Sequence, residues 1–288
     1  MLRIEVHDVG HGHCAVITAP NGRRIMIDCG CSGAKHWWPS VHYASQHIDA
    51  LLVQNMDEDH VGDLPYLWQY TSIGALIVNP SISTGALASM KVDGGTGSGV
   101  SFLHDILSNS PAQFLHGMVP HLRELQAWVW WNRYGLDFTD TNNLSLVTFA
   151  RYGGFTMLFT GDLEKEGWRA LLRFSAFREA LASVSVLVAS HHGRENGCCE
   201  EAFFFMKPEI VIFSDDGIQY DTQNTLEWYR SRVRGIPDLQ RLVSQGKRRV
   251  LTTRRDGSMQ IDVAANGHYL VNMQGGTGSH FGGLLAPA

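Results

Sequence analysis

The chain has 288 residues, 44% of them hydrophobic, and a formal net charge of −5. That size suits one large α/β domain or two small ones, and that charge gives no global mark of a nucleic-acid binder. No stretch approaches the roughly 20 apolar residues that span a membrane, and the opening MLRIEVHDVG has neither the apolar core nor the small-residue cleavage site of a secretory leader, so a cytoplasmic chain with no membrane partner is expected.

In chain order, residues 2–9 (LRIEVHDV) alternate as a strand does and run into a glycine turn, Gly10-His11-Gly12-His13. Residues 15–19 and 24–28 flank Asn21-Gly22, a strong hairpin signal. Residues 48–54 read as a strand that ends in an acidic loop, NMDEDHVG, followed by a helix over 61–70 and a short strand over 75–79 stopped by Pro80. Residues 81–142 are less regular, with helices expected near 101–109 and 118–129 and an aromatic run, AWVWWNRYGL, read chiefly as core. Strand character returns at 144–152 and 155–160, joined by Gly153-Gly154 and ending in Gly161-Asp162. A helix over 164–182 precedes a strand over 184–189 that ends in Ser190-His191-His192-Gly193. Helical residues 199–206 lead to a strand over 210–214 ending in Asp215-Asp216-Gly217. A helix near 224–233 and a closing hairpin, 249–253 with 259–263, complete the pattern.

The five cysteines, Cys14, Cys29, Cys31, Cys198 and Cys199, are odd in number and match no usual zinc spacing, which fits reduced thiols. Between Arg230 and Arg255 lie nine Lys or Arg against one acid, Asp238. Such a run is usually a solvated face, with contact to an anionic substrate as the sharper reading.

The chemistry-bearing residues share an address. Asp57, Asp59, His60, Asp162, His191, His192, Asp215 and Asp216 all follow strand ends, where open α/β sheets place their ligands. Any one of these aspartates is explained by helix capping. Together, carboxylate oxygens and imidazole nitrogens suit Zn²⁺ or Mn²⁺. Asp57, Asp59 and His60 converge from one loop, Asp162 can bridge two ions, and His191 or His192 supplies a further nitrogen. Two ions about 3.5–4 Å apart activate water and clamp a phosphoryl or carbonyl oxygen.

These stretches resemble, in order, the metallo-β-lactamase superfamily, and within it the ComEC/Rec2-like branch and its free-standing relatives. HDVGHGHCAVITAPNGRRIMIDCG is similar to that branch's opening hairpins, and NMDEDHVGDL to its His-x-Asp-x-Asp-His loop. NNLSLVTFARYGGFTMLFTGDLE is similar to its Asn-x-x-Ser-Leu-Val hairpin and Gly-Asp turn, and VSVLVASHHGREN to its His-His-Gly-Ser strand end. The resemblance implies an α/β fold of the αββα four-layer sandwich type. A single domain over residues 1–270 would carry an irregular insertion at about 81–142, and a flexible Gly-rich tail would follow over 271–288. It also implies a divalent metal and hydrolysis, of a phosphodiester or nucleic acid by the branch. The ligands would be Asp57, Asp59, His60, Asp162, His191 and His192. Asp57 or Asp59 would orient water, and Arg194 would neutralise developing charge.

The departures matter. Asn55 stands where the loop's first His is expected, His13 replaces an Asp, Arg194 replaces a Ser, and no His follows Asp216 in the segment QYDTQNT. The centre then holds one ion or two, or borrows His104, His116 or His121 from the insertion. A second hypothesis is a catalytically degenerate scaffold that binds protein partners in a multi-protein system, with the aromatic patch as its contact surface.

Overall fold

The computed structural model describes residues 1–92, 96–109, 122, 124–218, 221–237 and 246–274, and the backbone of 282–286. His116 and His121, and residues 118–121 and 123 of the helix expected near 118–129, lie outside the described residues.

The chain opens with β1 (Leu2–Val6), β2 (Ala15–Thr18) and β3 (Arg24–Ile27), then α1 (Pro39–His42), β4 (His47–Ile48), β5 (Ala50–Leu52), α2 (Glu58–Val61), α3 (Leu64–Tyr70), β6 (Ser72–Ile73) and β7 (Leu76–Ile77). The insertion carries α4 (Thr84–Met90) and α5 (Ser98–Asn109) and ends in β8 (Gln126–Trp130). Next come β9 (Val147–Tyr152), β10 (Phe155–Phe159), α6 (Lys165–Leu171), α7 (Ser175–Leu181), β11 (Val186–Val188), β12 (Ile210–Phe213) and α8 (Leu226–Arg230). The chain closes with β13 (Ile236–Pro237), β14 (Lys247–Arg248), β15 (Val250–Thr252), α9 (Thr253–Asp256), β16 (Met259–Val263), β17 (Tyr269–Met273) and β18 (Gly282–Ala286).

Two sheets carry the fold. One runs β18-β17-β16-β1-β2-β3-β5-β7, the other β15-β12-β11-β10-β9-β8. Strand alternation sends successive side chains to opposite faces, and the buried clusters follow it. Ile4, Ile17, Ile25 and Leu52 meet Met157, Phe159, Val188 and Ile212 between the sheets. From the opposite face of the first sheet, Val16, Met26 and Leu51 pack on Val61, Leu64 and Leu103 of its helices. From the opposite face of the second, Phe149, Leu158 and Val211 pack on Trp168, Phe177 and Tyr229. The layers are therefore helix, sheet, sheet, helix, the αββα sandwich. β10 is buried along its whole length, as a strand covered on both faces must be.

Several elements differ from the expectations. The helix over 61–70 is two, α2 and α3, with a break before Pro65, which sits in the first turn of α3. The helix over 164–182 is also two, because Leu171 and Phe177 are both buried yet lie six residues apart, off the 3.6-residue period of one straight helix. Residues 199–206 form only a 3₁₀ turn, Glu201–Phe204. Gln126–Trp130, inside the helix expected near 118–129, is a strand paired with β9. The ordered chain also runs past residue 270: Tyr269–Met273 pairs with β16, and the backbone of Gly282–Ala286 adds an edge strand to it.

Strand direction sets the site. β3, β5 and β7 are parallel, as are β10, β11, β12 and β15. The segments leaving β3, β5, β10, β11 and β12 bring Asp28, the 55–60 loop, Asp162, His191-His192 and Ser214 together.

Candidate metal centre

The acidic loop is held down by backbone. His13 N–H donates to the Asp59 carbonyl and Cys29 N–H to the His60 carbonyl. Gly12, at φ 139°, lies so close to the Asp59 carbonyl that a Cβ there would collide with it, which gives the opening glycine motif a physical reason. The Asp162 turn is fixed by Ser145, whose hydroxyl accepts from Asp162 N–H at 3.1 Å. The third loop departs from ordinary backbone: His191, His192 and Gly193 have φ of 49°, 53° and 79°. Such left-handed residues are uncommon outside glycine and cluster at functional sites. Trp168 Nε1 donates to Ser190 Oγ at 2.9 Å, and His191 N–H donates to the Gly161 carbonyl at 3.0 Å, so the turn is tied to the Asp162 turn beside it.

Asp59, His60, Asp162 and His192 converge, with one donor atom of each within 4.8 Å of the others. His60 Nε2 lies 3.1 Å from Asp162 Oδ1, and His192 Nε2 lies 3.1 Å from Asp59 Oδ2 and 3.4 Å from Asp162 Oδ1. His60 Nε2 to Asp59 Oδ2 is 3.9 Å. Four bonds of about 2.0–2.2 Å in a tetrahedron separate their ligand atoms by roughly 3.3–3.6 Å, so the group is sized for a small divalent ion.

The tautomers agree. His60 Nδ1 donates to Asp28 Oδ2 at 2.7 Å, and His192 Nδ1 donates to the Ser214 carbonyl at 2.7 Å. Both rings are thereby fixed with Nε2 facing the cluster. This is the outer-shell arrangement that orients metal-binding imidazoles. Asp28 is fully buried and also accepts from His13 Nδ1 at 3.1 Å and from Gln54 N–H at 2.6 Å.

Electrostatics supports the same grouping. Burial alone would raise Asp59 and Asp162, but His60 and His192 hold both carboxyls below their ordinary range. Burial alone would lower His60 and His192, but Asp162 foremost, with Asp59, raises both, and Asp28 adds to the effect on His60. In the metal-free chain the carboxyls and the imidazoles therefore favour one another's charged forms, and a divalent ion would take the place of protons on the imidazoles. Asp59 is the member reaching solvent, with 25% of its side chain exposed against 1% for His60, 5% for Asp162 and 2% for His192.

The remaining expected residues fall around this group. His191 is beside it rather than in it: Nε2 lies 3.8 Å from Asp162 Oδ2 and Nδ1 lies 3.6 Å from Glu164. Asp57 is not among the four. Its carboxylate is taken by the Lys91 ammonium, by the Thr141 hydroxyl at 3.0 and 3.1 Å, and by Asn55 Nδ2 at 3.1 Å, which leaves it nothing to offer the same ion. Asp215 is paired with Arg254, and burial pushes its carboxyl up to about 7 against that pairing. His104 stands beside Asp105 on α5, outside the group. Arg194 lies at the rim, 3.5 Å from both His191 Nε2 and His11 Nε2. Among the described residues it has no carboxylate partner, and its Nε is buried without one. The His11 ring lies 4.4 Å from the His192 ring, tilted at 49° to it. Burial, then the charge of His192, lowers its pKa to about 4, so its ring is neutral at neutral pH.

Sequence reasoning did not reach Asp28, Gln54, Ser214, Lys91, Thr141 or Glu164. The available signal for Asp28 was a lone acid ending an apolar strand, IMID; Lys91 carried none. The basic run of 230–255 is largely spent within the fold. Arg230, Arg232, Arg234, Arg248 and Arg254 pair with Glu227, Glu200, Glu209, Asp256 and Asp215.

Layer order and strand-end site together give the chain the metallo-β-lactamase fold. In sequence it is similar to ComE operon protein 3 of Bacillus subtilis (strain 168), 25% identical over 230 residues. That match covers 73% of this chain and 28% of that protein, so the chain spans less than a third of its relative. Among solved structures it is similar to the CmlA beta-hydroxylase E377D mutant, with a TM-score of 0.51 and 12% identity over 91% of this chain and 54% of that one. The Rm3 metallo-beta-lactamase aligns more partially, with a TM-score of 0.39 and 14% identity over 65% of this chain and 77% of that one. No family model matches the chain. Among the described residues no helix is long and apolar enough to cross a membrane.

Proposed function

We propose that this chain is a metal-dependent hydrolase acting on phosphodiesters, with Zn²⁺ or Mn²⁺ held by Asp59, His60, Asp162 and His192. The observation that carries the reading is the convergence of those four side chains, two of them imidazoles whose outer nitrogens are already engaged. When bound, a divalent ion there supplies Lewis-acid polarisation and lowers the pKa of water.

The chain's own groups do the rest. Arg194 is an uncompensated guanidinium at the rim, suited to an anionic oxygen of the substrate and to the charge that grows on it. Asp59 is the group at the open side, placed to orient water as well as to bind the ion. In this reading Asp57, whose oxygens are engaged by Lys91, Thr141 and Asn55, leaves the orienting of water to Asp59. Among the described residues, five of the eight basic side chains of the 230–255 run are taken up in ion pairs, which favours a small or short phosphodiester over long nucleic acid. Five free cysteines suit a reducing compartment such as the cytoplasm.

The scaffold reading draws on Asn55 and the occupied Asp57. Its proposed contact surface is weaker, since Trp128 stacks on Phe149 at 5.1 Å and Trp130 packs on Phe177 at 5.4 Å. Steady-state kinetics on a chromogenic phosphodiester with Mn²⁺ or Zn²⁺ tests the assignment of Arg194. Arg194→Met is expected to lower kcat/KM by roughly 10²–10³, the scale of one lost oxyanion contact, while metal content stays at the parent level. Unchanged kcat/KM would remove Arg194 from the site.

A further inference from the structure

The loop that delivers Asp59 and His60 also delivers Asn55 and Asp57, and these two point into a separate polar cage. Asp57 accepts from Lys91, from Thr141 on both oxygens and from Asn55. A carboxylate offers about four lone-pair sites, and three donors, Lys91, Thr141 and Asn55, engage both of its oxygens. Asn55 is buried. Its Nδ2 bridges Asp57 Oδ2 and Asn142 Oδ1, each at 3.1 Å, while its Oδ1 is buried with no partner. Lys91 is itself nearly buried, with 9% of its side chain exposed. Such an ammonium is retained only where an anion compensates it.

The insertion places this cation. Lys91 caps the C-terminus of α4. The next helix, α5, is anchored on the acidic loop itself: Gly99 and Val100 N–H donate to the two Glu58 oxygens, each at 3.0 Å. The cage also lies alongside the ion-binding group. Asn142 Nδ2 donates to Glu164 Oε1 at 3.1 Å, Glu164 faces His191 Nδ1 at 3.6 Å, and His191 Nε2 faces Asp162 Oδ2 at 3.8 Å.

We propose that the Lys91 ammonium occupies the place of a second cation beside the centre, so that the protein takes one divalent ion and supplies the neighbouring positive charge itself. This rests on the reading of Asp59, His60, Asp162 and His192 as the ligands of that ion. The insertion then lends the site a cation instead of a histidine ligand. Asn55 fits the substitution: its amide N–H donates to Asp57 and to Asn142, and an amide is a much poorer ligand for a second ion than an imidazole.

The test is metal stoichiometry and Mn²⁺ electron paramagnetic resonance on the full chain after incubation with excess ion and desalting. The parent and Asn55→His are each expected to hold one equivalent with an uncoupled six-line Mn²⁺ spectrum. The Asn55→His/Lys91→Met double variant is expected to hold two, with a spin-coupled spectrum. Two coupled ions in the parent or in Asn55→His would overturn the role of Lys91 while leaving the centre intact, as would a folded double variant that stays at one. A parent that binds no ion would overturn the metal-centre reading beneath it. If the double variant does not fold, the parent's spectrum alone decides between one uncoupled ion and a coupled pair.

Discussion

His60 and His192 each spend one ring nitrogen on a fixed acceptor, Asp28 and the Ser214 carbonyl, and this separates a ligand from a neighbour more sharply than residue type does. Asp57 and His191 are of the right type and close in sequence, yet Asp57 is spent on Lys91 and His191 faces Glu164 and Arg194. That Asp59, His60 and Asp162 gather at one place was legible because they end strands. The choice between His191 and His192 was not, because it turns on left-handed backbone angles that the letters do not encode. Asp28→Asn keeps the shape but weakens the orienting acceptor, and isothermal titration is expected to show metal affinity reduced roughly 10–100-fold. Asp57→Ala is expected to keep its metal near parental affinity. Loss of metal in Asp57→Ala, or full affinity in Asp28→Asn, would reverse these two assignments.

The turn after β11 is the element on which the site depends most. Gly193, at φ 79°, faces the Phe213 ring so closely that any Cβ would strike it, and its carbonyl accepts from the Thr225 hydroxyl. Gly193→Ala is expected to destabilise the fold by about 1–3 kcal/mol through strain and overpacking, read as a lower urea midpoint, and to reduce metal occupancy as His192 moves. A variant as stable as the parent would mean that the turn relaxes freely. The hairpins β2–β3 and β9–β10 and the strand ends were readable because period-2 alternation and Gly-containing turns are local signals, but the expected closing hairpin was not one: β15 pairs with β12 and β16 with β1 and β17, in different sheets. Helix breaks were not: α6 and α7 separate only because Leu171 and Phe177 must both reach the same core, a tertiary demand.

Across the whole molecule, the centre links stability to pH and to metal. In the metal-free chain His60 and His192 are raised above their ordinary value of 6.5. Their contribution is therefore complete below that value and is lost as pH rises through the folded-state values. Asp59 and Asp162 are lowered from 3.8, so theirs is present above that value and is lost as pH falls through the folded-state values. The lowered His7, His11, His13 and His191 add their own stability as pH rises to about 6.5 and are constant above it, so above that value the loss from His60 and His192 is unopposed and the metal-free protein should show a Tm that falls toward pH 9. The metal-loaded protein should hold its Tm over that range, since the ion replaces the protons. A metal-free Tm that is flat from about pH 6.5 to pH 9 would contradict the charge assignment. At this scale the layers were legible only through the resemblance of the ordered motifs to the metallo-β-lactamase superfamily; composition and strand pattern reached no further than an α/β chain. The insertion's contribution was not, because Lys91 reaches the acidic loop only through the packing of α4 and α5.

The most direct measurement is phosphodiester turnover by the purified chain, stripped of metal and then resupplied with Zn²⁺ or Mn²⁺, beside Asp162→Ala treated in the same way. The expected result is turnover that appears only with metal and falls by at least about 100-fold in Asp162→Ala. Turnover independent of added metal, or equal in the two proteins, would contradict a hydrolytic centre built on Asp59, His60, Asp162 and His192.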